Sequence, residues 1–161
     1  MNGDDAIMDR KEITFDRLTD KIDELLKERP GRDEALRAIC ELLKEKVDHY
    51  DWVGFYIAEE EGVLALGPYA GEPTQHDRIP VGKGVCGRVA QTRAPLVIQD
   101  VSKETEYLSC SPDVLSEIVI PIMKGDIFVA ELDIDSHQLH PFDSSDREFL
   151  EDICGDVAVL F

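Results

Sequence analysis

Between Ile13 and Glu28, the residues Leu18, Ile22, Leu25 and Leu26 recur at the i, i+4, i+7, i+8 spacing of an amphipathic helix. Pro30-Gly31 ends that run, and Leu36, Ile39, Cys40, Leu43 and Val47 mark the apolar stripe of a second helix. From Asp51 the period drops to two. Val53, Phe55 and Ile57 alternate with Trp52, Gly54 and Tyr56, as on the two faces of a strand. A turn at Glu60-Glu61-Gly62 leads into an apolar run over 63–66 and predicts a hairpin. Gly and Pro crowd residues 67–81, which reads as a long surface loop. A short helix is expected from near Val85 to Arg93, then a strand over 96–99 and a second irregular stretch over 100–115. Strands over 117–123 and 127–135 flank Lys124-Gly125-Asp126. Asp143 or Ser144 then caps a last helix carrying Phe149, Leu150, Ile153, Val157 and Leu160.

That order places hairpins where regular crossovers would need alternating strands and helices. It predicts an α+β fold: a central, mainly antiparallel sheet, terminal helices packed on one face, and a pocket on the other roofed by the two long loops. The 161 residues suit one domain, read as a flexible segment over 1–11 and a single domain over 12–161.

Lys and Arg number 17 against 35 Asp and Glu, a formal charge of −18. Such a surface repels phosphate backbones and anionic lipid, which argues against nucleic-acid and membrane partners. No apolar run approaches the ~20 residues of a membrane span. The acidic opening Met1-Asn2-Gly3-Asp4-Asp5 is unlike a basic, then greasy export signal, so a cytoplasmic protein is expected. In that compartment Cys40, Cys86, Cys110 and Cys154 read as buried, catalytic or metal-bound thiols more than as structural disulfides. Cys40 and Cys154 fall within amphipathic helices and read as inert packing.

Chemistry concentrates in three places. If the hairpin over 117–135 turns through the three residues Lys124, Gly125 and Asp126, Glu117 faces Asp133 and Asp135 lies on its diagonal. The opposite face, with Ile118, Ile120, Ile122, Phe128, Ala130, Leu132 and Ile134, is core. Like charges set across a sheet destabilise it, and such a trio would hold a proton near neutrality; the solvated end of an acidic hairpin is the alternative. A two-residue turn would change the register and dissolve this grouping. Second, Trp52 and Tyr56 share a strand face with Gly54 between them, an aromatic floor with room for a small ligand, or two aromatics packed beneath a helix. Third, Gly82-Lys-Gly84-Val-Cys86-Gly87 matches the dinucleotide pattern G-x-G-x-x-G, and Asp100 stands where a ribose-binding acid would. Pro80 before the loop and the absence of a βαβ pattern argue against that reading. What remains is Cys86 in the first turn of a short helix, where the dipole favours thiolate. Cys110, in Tyr107-Leu-Ser-Cys110-Ser-Pro112, is a loop cysteine just upstream of the acidic hairpin. Cys86, Cys110, His76, His137 and His140 lack the C-x-x-C or H-E-x-x-H spacing of a metal site, and none is assigned.

The segments Asp51-Trp-Val-Gly-Phe-Tyr56, Leu66-Gly-Pro-Tyr69, Gly82-Lys-Gly-Val-Cys-Gly87, Ser116-Glu-Ile-Val-Ile-Pro121 and Leu132-Asp-Ile-Asp-Ser136 occur in that order. From about residue 10 onward the chain resembles the single-domain GAF proteins that act as free methionine-(R)-sulfoxide reductases. The resemblance implies a GAF fold, a homodimer through the terminal helices, no bound cofactor, and an external dithiol reductant such as thioredoxin. By position, Cys110 matches the catalytic cysteine and Cys86 a resolving one, joined in turnover by a disulfide. Glu117, Asp133 and Asp135 match acidic sulfoxide-binding residues, and Trp52 and Tyr56 the wall around the substrate methyl. One feature departs from the family: a cysteine common in the loop after Gly-Pro-Tyr is missing, and Glu72-Pro-Thr-Gln-His76-Asp-Arg78 stands there. A non-catalytic GAF module that binds a small ligand or senses redox state, with His76 as a ligand contact, is the alternative.

Overall fold

Alternation along the strands divides the molecule into two apolar cores with one sheet between them. The computed structural model describes residues 3–59, 61–105, 107 and 111–161. β1 (Trp52–Glu59), β2 (Val63–Ala70), β3 (Arg78–Pro80), β4 (Leu96–Ile98), β5 (Ser116–Lys124) and β6 (Ile127–Ser136) form one antiparallel sheet in the order β3-β2-β1-β6-β5-β4. Val53 and Phe55 of β1, with Ile118, Ile120, Leu132 and Ile134, face α1 (Gly3–Lys27), α2 (Arg32–Lys46) and α4 (Ser144–Val157). Each Leu or Ile fully buried there contributes roughly 1.5–3 kcal/mol. Cys40 and Cys154 lie in this core, and burial pushes both thiols well up. Trp52, Tyr56 and Val119 point the other way, under α3 (Gly84–Thr92), whose Val85, Cys86 and Val89 close the smaller second core. The α+β class and the placement of the terminal helices on one face follow the sequence pattern.

The hairpin β5–β6 turns through two residues, since Lys124 pairs with Ile127, and a β-bulge then admits Val129 as an extra residue. Turn and bulge together restore the parity that a two-residue turn alone would have lost. Glu117 therefore pairs directly with Asp135, and Val119 with Asp133, two residues from the expected register and so on the expected face. The bulge corrects one assignment: Phe128 packs into the second core, not with Ala130, while Val129 joins the first.

The expected loop over 67–81 is shorter than its composition implies. β2 runs on through Gly67, Pro68, Tyr69 and Ala70. The proline is tolerated because Gly67 and Pro68 lie at a bulge against β1, beyond the residues that β3 pairs. Arg78–Pro80 then returns as an edge strand. At the other end of the chain, Asp143 is the residue that caps α4. Its carboxylate accepts from the backbone N–H of Ser145 and Asp146, and Asp146 reciprocates toward the N–H of Asp143. The buried Asp146 carboxylate also accepts from Tyr50 at 2.8 Å, meets His49 at 2.6 Å and pairs with Lys11, tying α1 to α4. Among the described residues, no helix is long and apolar enough to cross a membrane.

Candidate active site

On the second face of the sheet, side chains from β1, β6 and β5 line up in rows across the strands. Trp52, Asp135 and Glu117 form one row, Gly54, Asp133 and Val119 the next, and Tyr56, Glu131 and Pro121 the third. Glu117, Asp133 and Asp135 are thus brought together, and their exposures of 3%, 2% and 1% exclude a solvated hairpin end. α3 lowers Cys86 onto this patch, with Sγ donating to Asp133 Oδ2 at 3.3 Å.

Gly54 does not open space for a ligand. A Cβ there would lie 2.3 Å from the Trp52 ring, so the bare backbone is covered by the indole itself. Trp52 stacks on Tyr69 with centroids 5.5 Å apart, and its Nε1 donates to the Glu72 carbonyl at 3.0 Å. Tyr56 lies 6.4 Å from Trp52, ring to ring, and its hydroxyl donates to the His76 carbonyl at 2.8 Å. The aromatic pair therefore holds the loop after β2 against the sheet. A tight cleft of about 10 Å³, room for roughly one water, lies between that loop and α3. Tyr56, His76, Lys83, Cys86, Glu117 and Asp133 are among the residues that line it.

The glycine-rich loop before α3 spends its amides internally: Gly82 N–H donates to the Gly87 carbonyl at 2.8 Å and Lys83 N–H to the Pro80 carbonyl at 3.1 Å. Gly87 allows this close approach, since a Cβ would sit 2.6 Å from the Pro80 carbonyl oxygen. A phosphate cradle is not formed.

Burial dominates the electrostatics. It pushes Glu117 well above the ordinary carboxyl range, and the charges of Asp133 and Asp135 add to the effect. Asp133 is also raised, burial outweighing the hydrogen bonds with Glu117 and Cys86. The same cause lifts Cys86, followed by the charges of Asp133, Glu131 and Glu117. The helix-dipole expectation for Cys86 is thereby overturned: at rest it is a thiol, because burial among carboxyls outweighs a partial positive charge at a helix end. The patch can therefore keep a carboxylic acid neutral beside a thiol and offer its proton to a bound oxygen.

Among the described residues, Cys86, Glu117 and Asp133 are the one group whose donor atoms, within 4.8 Å of one another, would suit a metal ion. Of the histidines weighed earlier, His76 borders the cleft, whereas His137 pairs with Asp51 through its backbone N–H at 2.7 Å. Cys110 lies outside the described residues. Its flanks are anchored: Tyr107 packs against the second core, Leu115 N–H donates to the Ser136 carbonyl at 2.9 Å, and Val101 N–H donates to the Leu115 carbonyl at 2.9 Å. Two residues of the site were missed in the sequence. Lys83 gave no signal beyond its glycine-rich neighbourhood. Glu131 had one, the period-two spacing with Asp133 and Asp135.

The chain matches the model of the GAF domain over residues 31–161. It is 35% identical to the free methionine-R-sulfoxide reductase of Escherichia coli over 112 residues, covering 70% of this chain and 67% of that protein. The type II free methionine-R-sulfoxide reductase of Thermoplasma acidophilum superposes with a TM-score of 0.77 at 36% identity, over 80% of this chain and 91% of the other. That of Neisseria meningitidis, solved in complex with its substrate, superposes at 0.86 with 28% identity, over 91% and 87%. With the buried acids, the thiol and the GAF sheet in place, the chain belongs to the GAF-domain family of free methionine-R-sulfoxide reductases.

Proposed function

We propose that the protein reduces free L-methionine-(R)-sulfoxide to methionine, with Cys110 as the attacking thiol and Cys86 as the resolving one. The observation that carries this reading is the buried set Glu117, Asp133 and Cys86 lining one cleft with Tyr56. Attack on sulfoxide sulfur needs the departing oxygen to be protonated, and a carboxyl held neutral by burial supplies that proton. Cys110 Sγ bonds to the sulfoxide sulfur as the S–O bond breaks and the protonated oxygen leaves as water. A water molecule then attacks Cys110 Sγ, the S–S bond breaks, methionine departs and Cys110 is left as a sulfenic acid. Condensation with Cys86 expels water and forms a disulfide, which an external dithiol such as thioredoxin reduces. Trp52 and Tyr56 bound the substrate's methyl end, and Asp135 supports Glu117 across the strands. Lys83, exposed at the cleft, is placed to meet the carboxylate of a free amino acid.

A homodimer through the terminal helical segments, where Ile13 and Val159 are exposed, and a cytoplasmic setting with dithiol available complete the reading. The test is dithiol-dependent loss of the sulfoxide by wild type and Cys110→Ser. Turnover in the first and loss of at least about 10³-fold in the second is expected for removal of a nucleophile. Equal rates, or none in either, sink the enzyme reading and leave a ligand-binding module.

A further inference from the structure

Cys86 from α3, Glu117 from β5 and Asp133 from β6 meet at one point beneath the cleft, all three buried. Their donor atoms lie within 4.8 Å of one another. Points so spaced share a centre no more than about 2.8 Å from each, where zinc takes sulfur at about 2.3 Å and carboxylate oxygen at about 2.0–2.2 Å. Closure on an ion therefore needs side-chain shifts of less than about 1 Å. One edge already has the right length. Cys86 Sγ stands 3.3 Å from Asp133 Oδ2, against roughly 3.5 Å between sulfur and oxygen across a tetrahedral zinc. No local motif announces the set, because its members come together only across the sheet.

A second observation, independent of the spacing, argues for a cation. Asp133 is 2% exposed and lines the cleft, and its Oδ1 meets no hydrogen-bond partner among the described residues. A buried oxygen left so costs free energy that a coordinated ion would recover. The choice of ion follows from the donors. Magnesium and calcium demand six or more oxygens, whereas a thiolate with two carboxylates suits zinc and leaves a fourth position toward the cleft. The cleft has room there for about one water.

We propose that Cys86, Glu117 and Asp133 form a zinc site, one ion per chain, whose occupancy switches off the chemistry of the cleft. The site stands on the geometry; the switch rests on the reductase reading above. As the Zn–S bond forms, the thiol proton and that of a neutral carboxyl pass to solvent, and no electron moves. The bound thiolate is then held from sulfur chemistry, and the coordinated acids no longer carry a proton to the sulfoxide oxygen.

Tag-free, reduced protein stripped of metal is titrated with zinc chloride by calorimetry and with cobalt(II) chloride by absorption spectroscopy. One equivalent of zinc per chain is expected, with a sulfur-to-cobalt charge-transfer band in the near ultraviolet. Cys86→Ser should abolish that band. Cys86→Ser and Glu117→Gln should each weaken zinc by at least about 10²-fold, beyond the 10–100-fold cost of losing an outer partner of a ligand. Because burial penalises its charge, Glu117→Gln is expected to melt higher than wild type at about pH 8, so binding lost at that pH is not lost to unfolding. No binding by wild type, or unchanged affinity in both variants, overturns the site. The switch is read in a single turnover without dithiol, which would itself chelate the ion. One equivalent of zinc should abolish methionine release, and EDTA should restore it; binding that leaves release unchanged overturns the switch. A wild type that releases no methionine even without zinc fails the reductase reading alone, and the calorimetry and cobalt spectrum still decide the site.

Discussion

Burial makes Glu117 a weak acid, and folding bears the cost. Its native pKa lies above its unfolded one, so the native state keeps a proton that the unfolded chain gives up. Stability from this group is complete below the ordinary carboxyl value of 4.5 and declines as pH rises through the raised native value. Glu117→Gln is therefore expected to melt higher than wild type at about pH 8, with the difference closing toward the acidic end of a thermal-denaturation series. The same variant should lose about 10²–10⁴-fold in reductase activity, having lost the proton it donates. Gly54 makes the complementary point, since its missing side chain serves a neighbour. Gly54→Ala would drive a methyl into the Trp52 ring, and we expect a loss of about 1–3 kcal/mol by denaturant unfolding, with altered tryptophan fluorescence. The aromatic pair was legible in the strand's alternation. That the glycine is covered by indole was not, because rotamer choice depends on Tyr69 and the loop carrying Glu72, both distant in sequence.

At the scale of the element, the β5–β6 hairpin shows how a wrong turn and a right face coexist. Alternation fixes which residues share a face, while turn length and bulges fix which residue stands opposite which. The two-residue turn and the extra Val129 compensate each other. Deleting Val129 should therefore straighten the strand and keep Glu117 opposite Asp135, with activity retained and a stability loss limited to its own partly buried side chain. Deleting Leu132 instead would reverse the order of faces between the turn and Ala130 or beyond and should abolish the folded protein. Circular dichroism melts of the two deletions distinguish these outcomes. The segment over 67–81 went the other way: Gly and Pro signalled a loop, yet Pro68 sits in β2, because a bulge beyond the reach of β3 removes the need for its N–H.

For the whole molecule, a formal charge of −18 acts as diffuse self-repulsion that no single residue carries. Raising sodium chloride from about 10 mM to 150 mM shortens the Debye length from about 30 Å to 8 Å, and the melting temperature is expected to rise with it. A flat or falling response in scanning calorimetry would contradict that account. The internal acids should contribute little to this response, since burial keeps Glu117, Glu131 and Asp133 biased toward the neutral form.

Local periodicity was enough for the helices, most strands, the two-faced sheet and the α+β class, because the side-chain repeat of each element is set by backbone geometry alone. It also placed Glu117, Asp133 and Asp135 on a common face. What needed the folded chain was depth and neighbourhood. α3 closes over the carboxyls and turns a line of surface-type residues into a buried cluster, reversing the expected state of Cys86. Periodicity says which way a side chain points; only the packing of remote segments decides whether water or protein meets it, and with that whether a carboxyl keeps its proton.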